Sequence, residues 1–333
     1  MVDAPTGAAH AAYPTYADLL ARTDAPAGST WGLFPAESER GMADLAGRDA
    51  VLAGLGAVVD GQAISLDYAL DAFDPPMSRA RGLPVHTITA KHPEARDDQL
   101  DGFFLQSSTQ IDGLRHRRSQ GEGFWDGHPD DAIVTGSPTL GVQRWAERPI
   151  VGRAVLVDVE GARAVAGRPL DHARGEVLEV EDLDAALAHQ GAEVRPGDVV
   201  LVHTGWAAWY LGLDVPGRTS VREARLATGF AQRRALPAWL WDHRVATFAT
   251  DTFAVERLPV VADGEFAATA VDDEGMVHQE LIARLGMPLG ELWNLHDLAQ
   301  ASRADGRWSS LVVVKPLHLT GGVGSPANAT ALR

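Results

Sequence analysis

The stretch that decides the fold class reads Gln106-Ser107-Ser108-Thr109-Gln110-Ile111-Asp112-Gly113-Leu114-Arg115-His116. It is the densest polar cluster of the chain, and it follows the apolar residues 103–105. In an extended segment, residues two apart share a face, so the alternate polar residues from 106 to 112 are expected to point the same way. Gly113 allows a turn that brings His116 over this row. A carboxylate, two amide oxygens and an imidazole suit a divalent-cation site with a general base.

The same stretch has a second interpretation, a polar strand face that hydrogen-bonds to its neighbours. Further along, His278 opens an apolar helical pattern, and Glu291 lies beyond the turn at residues 286–288. These two residues are candidate metal ligands. The alternative for them is a solvated helix N-terminus and a surface carboxylate.

Other candidates end apolar strands or are large aromatic residues. His203 and Asp251 each follow a predicted strand, where loops often carry function. A buried histidine bonded to the backbone and a turn cap are their structural alternatives. The chain has nine Trp residues, of which Trp125 and Trp206 are candidates for packing against an aromatic or flat substrate, with the core or an interface as the alternative. We therefore predict substrate binding for these four residues.

Composition excludes several classes of protein. The chain of 333 residues has a formal charge of -16, which disfavours nucleic acid as a partner. Its cysteine count of 0 excludes disulfides, a cysteine nucleophile and cysteine-bound zinc. No apolar run is long enough for a transmembrane helix, so no membrane association is expected. The first 16 residues lack a basic stretch followed by an apolar core, so we expect a cytoplasmic protein.

Strand and helix patterns interleave along the chain without a strict rhythm. Residues 1–50 are predicted to form an N-terminal arm with a short helix at residues 16–22, and residues 51–333 a single catalytic domain. Strands are predicted at 63–70, 153–159, 199–203, 246–250 and 308–317, and an extended segment at 102–110. Helices are predicted at 180–190, 236–243, 276–285 and 295–304. The pattern favours one α/β domain with a mixed sheet or a β-barrel-like core surrounded by helices.

The polar stretch resembles the signature of the cyclase family, whose members include bacterial kynurenine formamidase, isatin hydrolase and trans-dienelactone hydrolase. That signature is H-x-G-T-H-x-D-x-x-x-H. Here Thr109, Asp112 and His116 fall on the pattern. Ser108 stands in place of the glycine, and Gln106 and Gln110 replace the first two histidines.

The resemblance extends beyond this stretch, from about residue 60 to the end of the chain. His278 and Glu291 match the family's second element, a histidine that opens a helix and a glutamate about a dozen residues later. Residues 203–206 and the C-terminal segment 321–328 also resemble family segments. Several matching segments in the same order make the resemblance more specific than any single motif.

The resemblance implies an α/β fold with a β-barrel-like core, usually in homodimers or homotetramers. It implies a hydrolase that binds Zn²⁺ or Mn²⁺ and opens amides, lactams or lactones of a small-molecule substrate. By resemblance, Asp112 is a metal ligand and His116 is the catalytic acid/base. His278 and Glu291 would complete the metal shell.

The two glutamines leave three outcomes open. Gln106 and Gln110 bind one hard ion together with Asp112, such as Mn²⁺, because amide oxygens are hard donors. Otherwise half of a binuclear site is lost, and Asp112, His278 and Glu291 hold a single ion, for which Zn²⁺ is suitable. In the third outcome no metal binds.

Two rival functions follow from the same residues. A polyketide-type cyclase would use the metal and base for proton abstraction instead of water activation. A metal-free binding protein on the same fold is the rival from another class, and the replaced histidines motivate it. A serine hydrolase is disfavoured because the sequence has no Gly-x-Ser-x-Gly elbow.

Overall fold

The structure is a computed structural model that describes residues 13–35, 37–119, 121–266 and 275–333. The first twelve residues of the predicted arm lie outside the described residues. The predicted short helix is present as α1 (Tyr16–Leu20), and Thr15 and Asp18 form a capping box at its start. Tyr16 and Leu19 are buried in the main hydrophobic core. The described part of the arm therefore packs as part of the domain.

Within the described residues, the main sheet has nine strands in the order β1-β13-β11-β5-β7-β9-β10-β4-β12. The strands of the structure are β1 (Ala63–Ser65), β2 (Val85–His92), β3 (Ala95–Asp101), β4 (Gln110–Asp112), β5 (Ile150–Asp158), β6 (Val177–Leu178), β7 (Val199–His203), β8 (Gly229–Phe230), β9 (Thr247–Thr250), β10 (Leu289–Glu291), β11 (Ser309–Val314), β12 (Gly324–Ser325) and β13 (Ala329–Leu332). The central strands β5, β7, β9 and β10 are parallel, and the remaining pairs of this sheet are antiparallel. This curled, mixed sheet with helices around it confirms the predicted fold class.

The parallel strands explain why their sequences are almost entirely apolar. Every residue of β7 is buried, and eight of the nine residues of β5 are buried. A parallel strand is covered on both faces, so it has no solvent side that would impose alternation. The sequence-based strands at 153–159 and 199–203 are therefore confirmed, with boundaries shifted by at most three residues.

Helices cover the faces of the sheet. They are α2 (Arg48–Gly56), α3 (Gln143–Glu147), α4 (Val159–Val165), α5 (Val180–Gln190), α6 (Trp206–Gly212), α7 (Val215–Ala224), α8 (Ala235–Asp242) and α9 (His296–Asp305). Helix α2 packs against β5 and β11. Its Gly54 permits the close approach, because a Cβ there would lie 2.9 Å from the backbone nitrogen of Arg153. No helix among the described residues is long and apolar enough to span a membrane.

Three segments differ from the sequence-based expectations. The predicted extended segment 102–110 forms turns, and only β4 is a strand there. Strands β2 and β3 form a separate hairpin whose residues are nearly all exposed, so it lacks the alternation that predicts a strand. The predicted helix at 276–285 is a π-helix over Gln279–Arg284, and Gly286 follows it with a φ of +69°.

Candidate active site

The carboxyl ends of the parallel strands meet along one edge of the sheet and carry polar residues there. Asp158 ends β5, His203 ends β7 and Glu291 ends β10, while Asp251 follows β9. In an open sheet of parallel strands, this edge is where ligands usually bind. Among the residues that the structure describes, this edge holds two clusters of histidine and carboxylate side chains.

Strand pairing builds the first cluster. Strand β4 runs antiparallel to β10 and places Gln110 opposite Glu291. Directly opposed side chains share a face of the sheet, and Asp112, two residues along β4, shares that face as well. The pairing of β12 with β4 brings Gly324 opposite Asp112. A Cβ at Gly324 would lie 2.7 Å from the side chain of Gln106, so glycine leaves the room that Gln106 occupies.

Asp112, His278 and Glu291 form the centre of this cluster. All three are buried, and one potential ligand atom from each lies within 4.8 Å of the others. His278 Nε2 is 2.8 Å from Glu291 Oε1 and 3.9 Å from Asp112 Oδ2. Asp112 Oδ2 is buried and has no hydrogen-bond partner among the described residues. A buried carboxylate oxygen without a partner is costly, and a cation between these three groups would satisfy it.

Glu256 fixes the orientation of His278. Its carboxylate accepts a hydrogen bond from His278 Nδ1 at 2.5 Å and others from the backbone N–H groups of Val277 and His278. Gln232 donates a further one at 2.8 Å. Such a second partner is usual for metal-binding histidines, because it directs Nε2 toward the ion. Glu256 carries no signal in the sequence, since no motif surrounds it.

The protonation of His278 and the ionisation of Glu291 depend on each other. Burial opposes protonation of His278, but hydrogen bonds to Glu256 and Glu291 outweigh it and raise its pKa to about 10. Burial likewise opposes ionisation of Glu291, whereas the hydrogen bond from His278 holds its pKa below the usual value. The carboxylates therefore stabilise a positive charge at the position of His278 Nε2.

Gln106 and Gln110 turn their amide nitrogens toward the carboxylates. Gln106 Nε2 donates to Asp112 Oδ1, and Gln110 Nε2 donates to Glu291 Oε2 at 2.8 Å. The expectation that both amide oxygens ligate an ion differs from this arrangement, because an N–H group cannot be a ligand. The two glutamines instead bond to the outer oxygens of Asp112 and Glu291, which leaves the inner oxygens facing His278.

His116 lies at the border between the cluster and a cavity. Its Nε2 is 3.8 Å from Asp112 Oδ2, and its Nδ1 is 3.3 Å from the amide nitrogen of Gln106. Its side chain is 18% exposed, more than the side chains of Asp112 and His278. Burial lowers its pKa, so the imidazole is neutral at pH 7 and can accept a proton.

A cavity of about 330 Å³ opens in front of the cluster. Its lining includes His116, His278, Glu291, Met276 and Phe253, together with several arginines. This volume suits a small organic molecule.

The predicted substrate-binding residues are absent from this lining. Trp125 is 1% exposed in the main core, where its Nε1 donates to Thr30 at 3.2 Å. Trp206 is fully buried in a second core cluster and stacks on Tyr210 with ring centroids 5.2 Å apart. Both are core residues in this fold. Their aromatic character gave no information about which surface they would face.

Asp251 and His203 have structural contacts instead. Asp251 accepts hydrogen bonds from the backbone N–H groups of Thr204 and Gly205 at 2.9 and 2.7 Å, so it anchors the loop after β7. His203 belongs to the second cluster, with Asp158 and Glu160. Neither residue lines the cavity formed by the described part of the chain.

An arginine neutralises the second cluster. His203 Nδ1 is 2.9 Å from Asp158 Oδ1. Arg303 donates to both oxygens of Asp158 at 2.6 and 2.7 Å and to Glu160 at 2.8 Å. Burial opposes ionisation of Asp158, but His203 and Arg303 hold its pKa well below the usual range. The guanidinium therefore supplies the positive charge that these carboxylates require.

Fold and site together define an α/β protein with a buried histidine–carboxylate centre at a sheet edge, opening into a small cavity. The family model named Cyclase matches residues 64–257. The chain belongs to this family. The match includes Gln106, Gln110, Asp112 and His116, and it ends before His278 and Glu291.

Solved structures give the same result. The crystal structure described as a novel cyclase is 30% identical, covers 92% of this chain and 99% of its own, and has a TM-score of 0.78. Isatin hydrolase A from Ralstonia solanacearum is 18% identical over 85% of this chain and 95% of its own, with a TM-score of 0.54. An isatin hydrolase bound to the product analogue thioisatinate is 16% identical over 86% of this chain and 98% of its own, with a TM-score of 0.53. The two isatin hydrolases show a shared fold. A search of curated proteins gives no match.

Proposed function

We propose that the protein is a hydrolase that opens an amide, lactam or lactone bond with the help of one divalent ion. The observation that carries this proposal is the unpaired, buried Oδ2 of Asp112, which faces His278 Nε2 beside Glu291. One nitrogen and two carboxylate donors make a set that zinc or manganese accepts, with positions left for water and substrate. The isatin hydrolases with the same fold act on a lactam, which supports hydrolysis as the reaction class.

The residues present fit one ion rather than two. Asp112, His278 and Glu291 converge on one point, while Gln106 and Gln110 direct N–H groups at the outer carboxylate oxygens. These amides stabilise the ligand carboxylates and hold their orientation. Of the outcomes that the sequence leaves open, the geometry favours the single-ion site.

His116 is the proposed acid/base. When bound, the ion would supply Lewis acidity, which polarises a carbonyl and lowers the pKa of a water molecule. His116 lines the cavity and its Nε2 is 3.8 Å from Asp112 Oδ2, so a water bound beside both atoms would be within its reach. For Nε2 to accept a proton, the neutral ring must carry its hydrogen on Nδ1, which lies 3.3 Å from the side-chain amide of Gln106. The neutral imidazole accepts the proton of the attacking water and afterwards delivers it to the leaving group.

Isotope incorporation tests the reaction class. The purified protein, supplied with Zn²⁺ or Mn²⁺, is incubated in H₂¹⁸O with a lactone, a lactam and an N-formyl amide. We expect at least one class to give a product that carries one ¹⁸O atom. A product formed without solvent oxygen would support the cyclase alternative and contradict hydrolysis. No turnover of any class, with either metal, would also contradict the proposal.

A further inference from the structure

The cavity in front of the site is lined by arginines, although the chain as a whole is acidic. Arg79, Arg81, Arg117 and Arg225 contribute to its lining beside His116 and Glu291. The formal charge of the chain is -16. A cleft that concentrates the opposite sign of charge attracts ligands that the rest of the surface repels.

Arg81 lines the cavity and has N–H donors that no described residue uses. Its Nη1 donates to the backbone carbonyl of Gln106 and lies 3.5 Å from Gln110 Oε1. A guanidinium carries five N–H donors. The hydrogens on Nε and Nη2 have no hydrogen-bond partner in the described part of the chain. Arg81 is therefore anchored at one end beside the proposed metal site and available at the other.

Arg117 has weaker hydrogen-bond contacts with the described residues than Arg81 has. It is partly buried next to His116, and among the described residues its Nη2 makes a weak contact with the sulfur of Met276 at 3.9 Å. Its Nε is buried without a hydrogen-bond partner among the described residues. Arg117 also lines the cavity, where an acidic ligand could pair with the outer nitrogens of its guanidinium.

We propose that the substrate carries a carboxylate group, which Arg117 and Arg81 bind while the scissile bond lies beside His116. This inference rests on the proposed hydrolase function. The planar fork of arginine matches a carboxylate with two parallel hydrogen bonds, and the cavity of about 330 Å³ limits the ligand to roughly one or two rings. Arg117 would thus determine specificity for acidic over neutral substrates.

Binding of a matched pair of probes tests the proposal. Calorimetry on the metal-loaded protein compares benzoate with benzamide, which has the same shape and no charge. We expect wild type to prefer benzoate about tenfold or more, and Arg117→Gln to reduce this preference to less than about threefold. Arg118→Gln is the matched control, because Arg118 is exposed, pairs with Asp130 and does not line the cavity. It should keep the full preference.

Several results would overturn the inference. Equal binding of benzoate and benzamide to wild type would do so, as would a preference that survives Arg117→Gln. Tighter binding of phenyl phosphate than of benzoate would assign the arginines to another ligand class. Should Arg117→Gln not fold, Arg117→Lys keeps the charge without the fork and should still lose several-fold in benzoate preference.

The experiment separates this inference from the proposed function. Benzoate coordination to the ion itself would be equal in Arg117→Gln and Arg118→Gln, so only the difference between these variants counts. A preference for benzoate that depends on Arg117, without any hydrolysis, would support the carboxylate site and contradict the hydrolase. Hydrolysis together with a benzoate preference that is the same in wild type and Arg117→Gln would support the hydrolase and contradict the carboxylate site.

Discussion

The two histidine–carboxylate clusters found among the described residues have the same composition, one Asp, one Glu and one His, but different surroundings. Asp112, His278 and Glu291 form one, and Asp158, Glu160 and His203 form the other. In the second, Arg303 supplies the positive charge and satisfies the carboxylates. In the first, one carboxylate oxygen has no partner among the described residues, and a cavity gives access. The second cluster is therefore satisfied within the protein, whereas the first is the candidate for binding a metal ion.

The largest difference between the clusters should appear in turnover. Asp112→Ala removes the oxygen that faces His278 and should abolish hydrolysis, by roughly a thousandfold or more in kcat/KM. Asp158→Asn should leave kcat/KM of the folded fraction within about threefold, because its cluster does not contact the cavity. Steady-state kinetics on both variants measure this. Equal losses in both would remove the functional distinction between the clusters.

A second effect separates metal binding from catalysis. His116→Ala should lower kcat by roughly 10²–10⁴-fold, because the proposed general base is lost while the proposed ligands remain. Metal content should stay at the wild-type level. His318→Ala, which removes an exposed histidine elsewhere, should match wild type in both measurements. A variant lacking His116 with undiminished kcat would show that another group moves the proton.

The third effect concerns Glu256, the hydrogen-bond partner of His278 Nδ1, and should appear in metal affinity. Glu256→Gln keeps the shape but removes the charge that orients His278, so metal affinity should fall by about 10–100-fold. Competition with a chelator measures this affinity. Gln232→Ala removes a neutral donor to Glu256 and should weaken metal binding much less. If Glu256→Gln bound the ion as tightly as wild type, the proposed link between Glu256 and the ion would be incorrect.

Substitution in the second cluster, Asp158, Glu160 and His203, should lower the stability of the fold rather than the activity. Arg303→Met leaves two carboxylates without their cation, and the side chain of Asp158 is 3% exposed. Breaking a buried pair is strongly destabilising, but Arg303 is 38% exposed, so we expect a loss of roughly 1–3 kcal/mol in the free energy of unfolding. Denaturant titration measures this loss. An unchanged unfolding midpoint would mean that water satisfies Asp158 as well as the arginine does.

The smallest predicted effect is a pH dependence of stability. Burial opposes charging of His203, but Asp158 outweighs it and raises its pKa above the unfolded value of 6.5. A raised pKa means that the protonated histidine stabilises the fold below pH 6.5 and that this contribution is lost as the pH rises through the folded pKa. The destabilisation caused by His203→Gln should therefore be larger at pH 5.5 than at pH 9. A destabilisation independent of pH would show that folding leaves the pKa of His203 unchanged.

Sequence patterns predicted the regular core well because burial on both faces leaves a clear apolar run, as in Val199–His203. The hairpin Val85–His92 with Ala95–Asp101 gave no such signal, since its residues are exposed on both faces. Within the site, the structure brings together Asp112, His278 and Glu291, which the family resemblance grouped. Glu256 was not predictable, because its contact with His278 depends on how the loop after β9 folds rather than on a motif.

Metal content tests the central claim most directly. Elemental analysis of the protein purified without added metal should find about one zinc or manganese per chain, retained in Asp158→Asn and lost in Asp112→Ala. That result would place the ion in the cluster that opens into the cavity. No metal in wild type and no binding of added Zn²⁺ or Mn²⁺, or an ion retained by Asp112→Ala and lost from Asp158→Asn, would contradict the account.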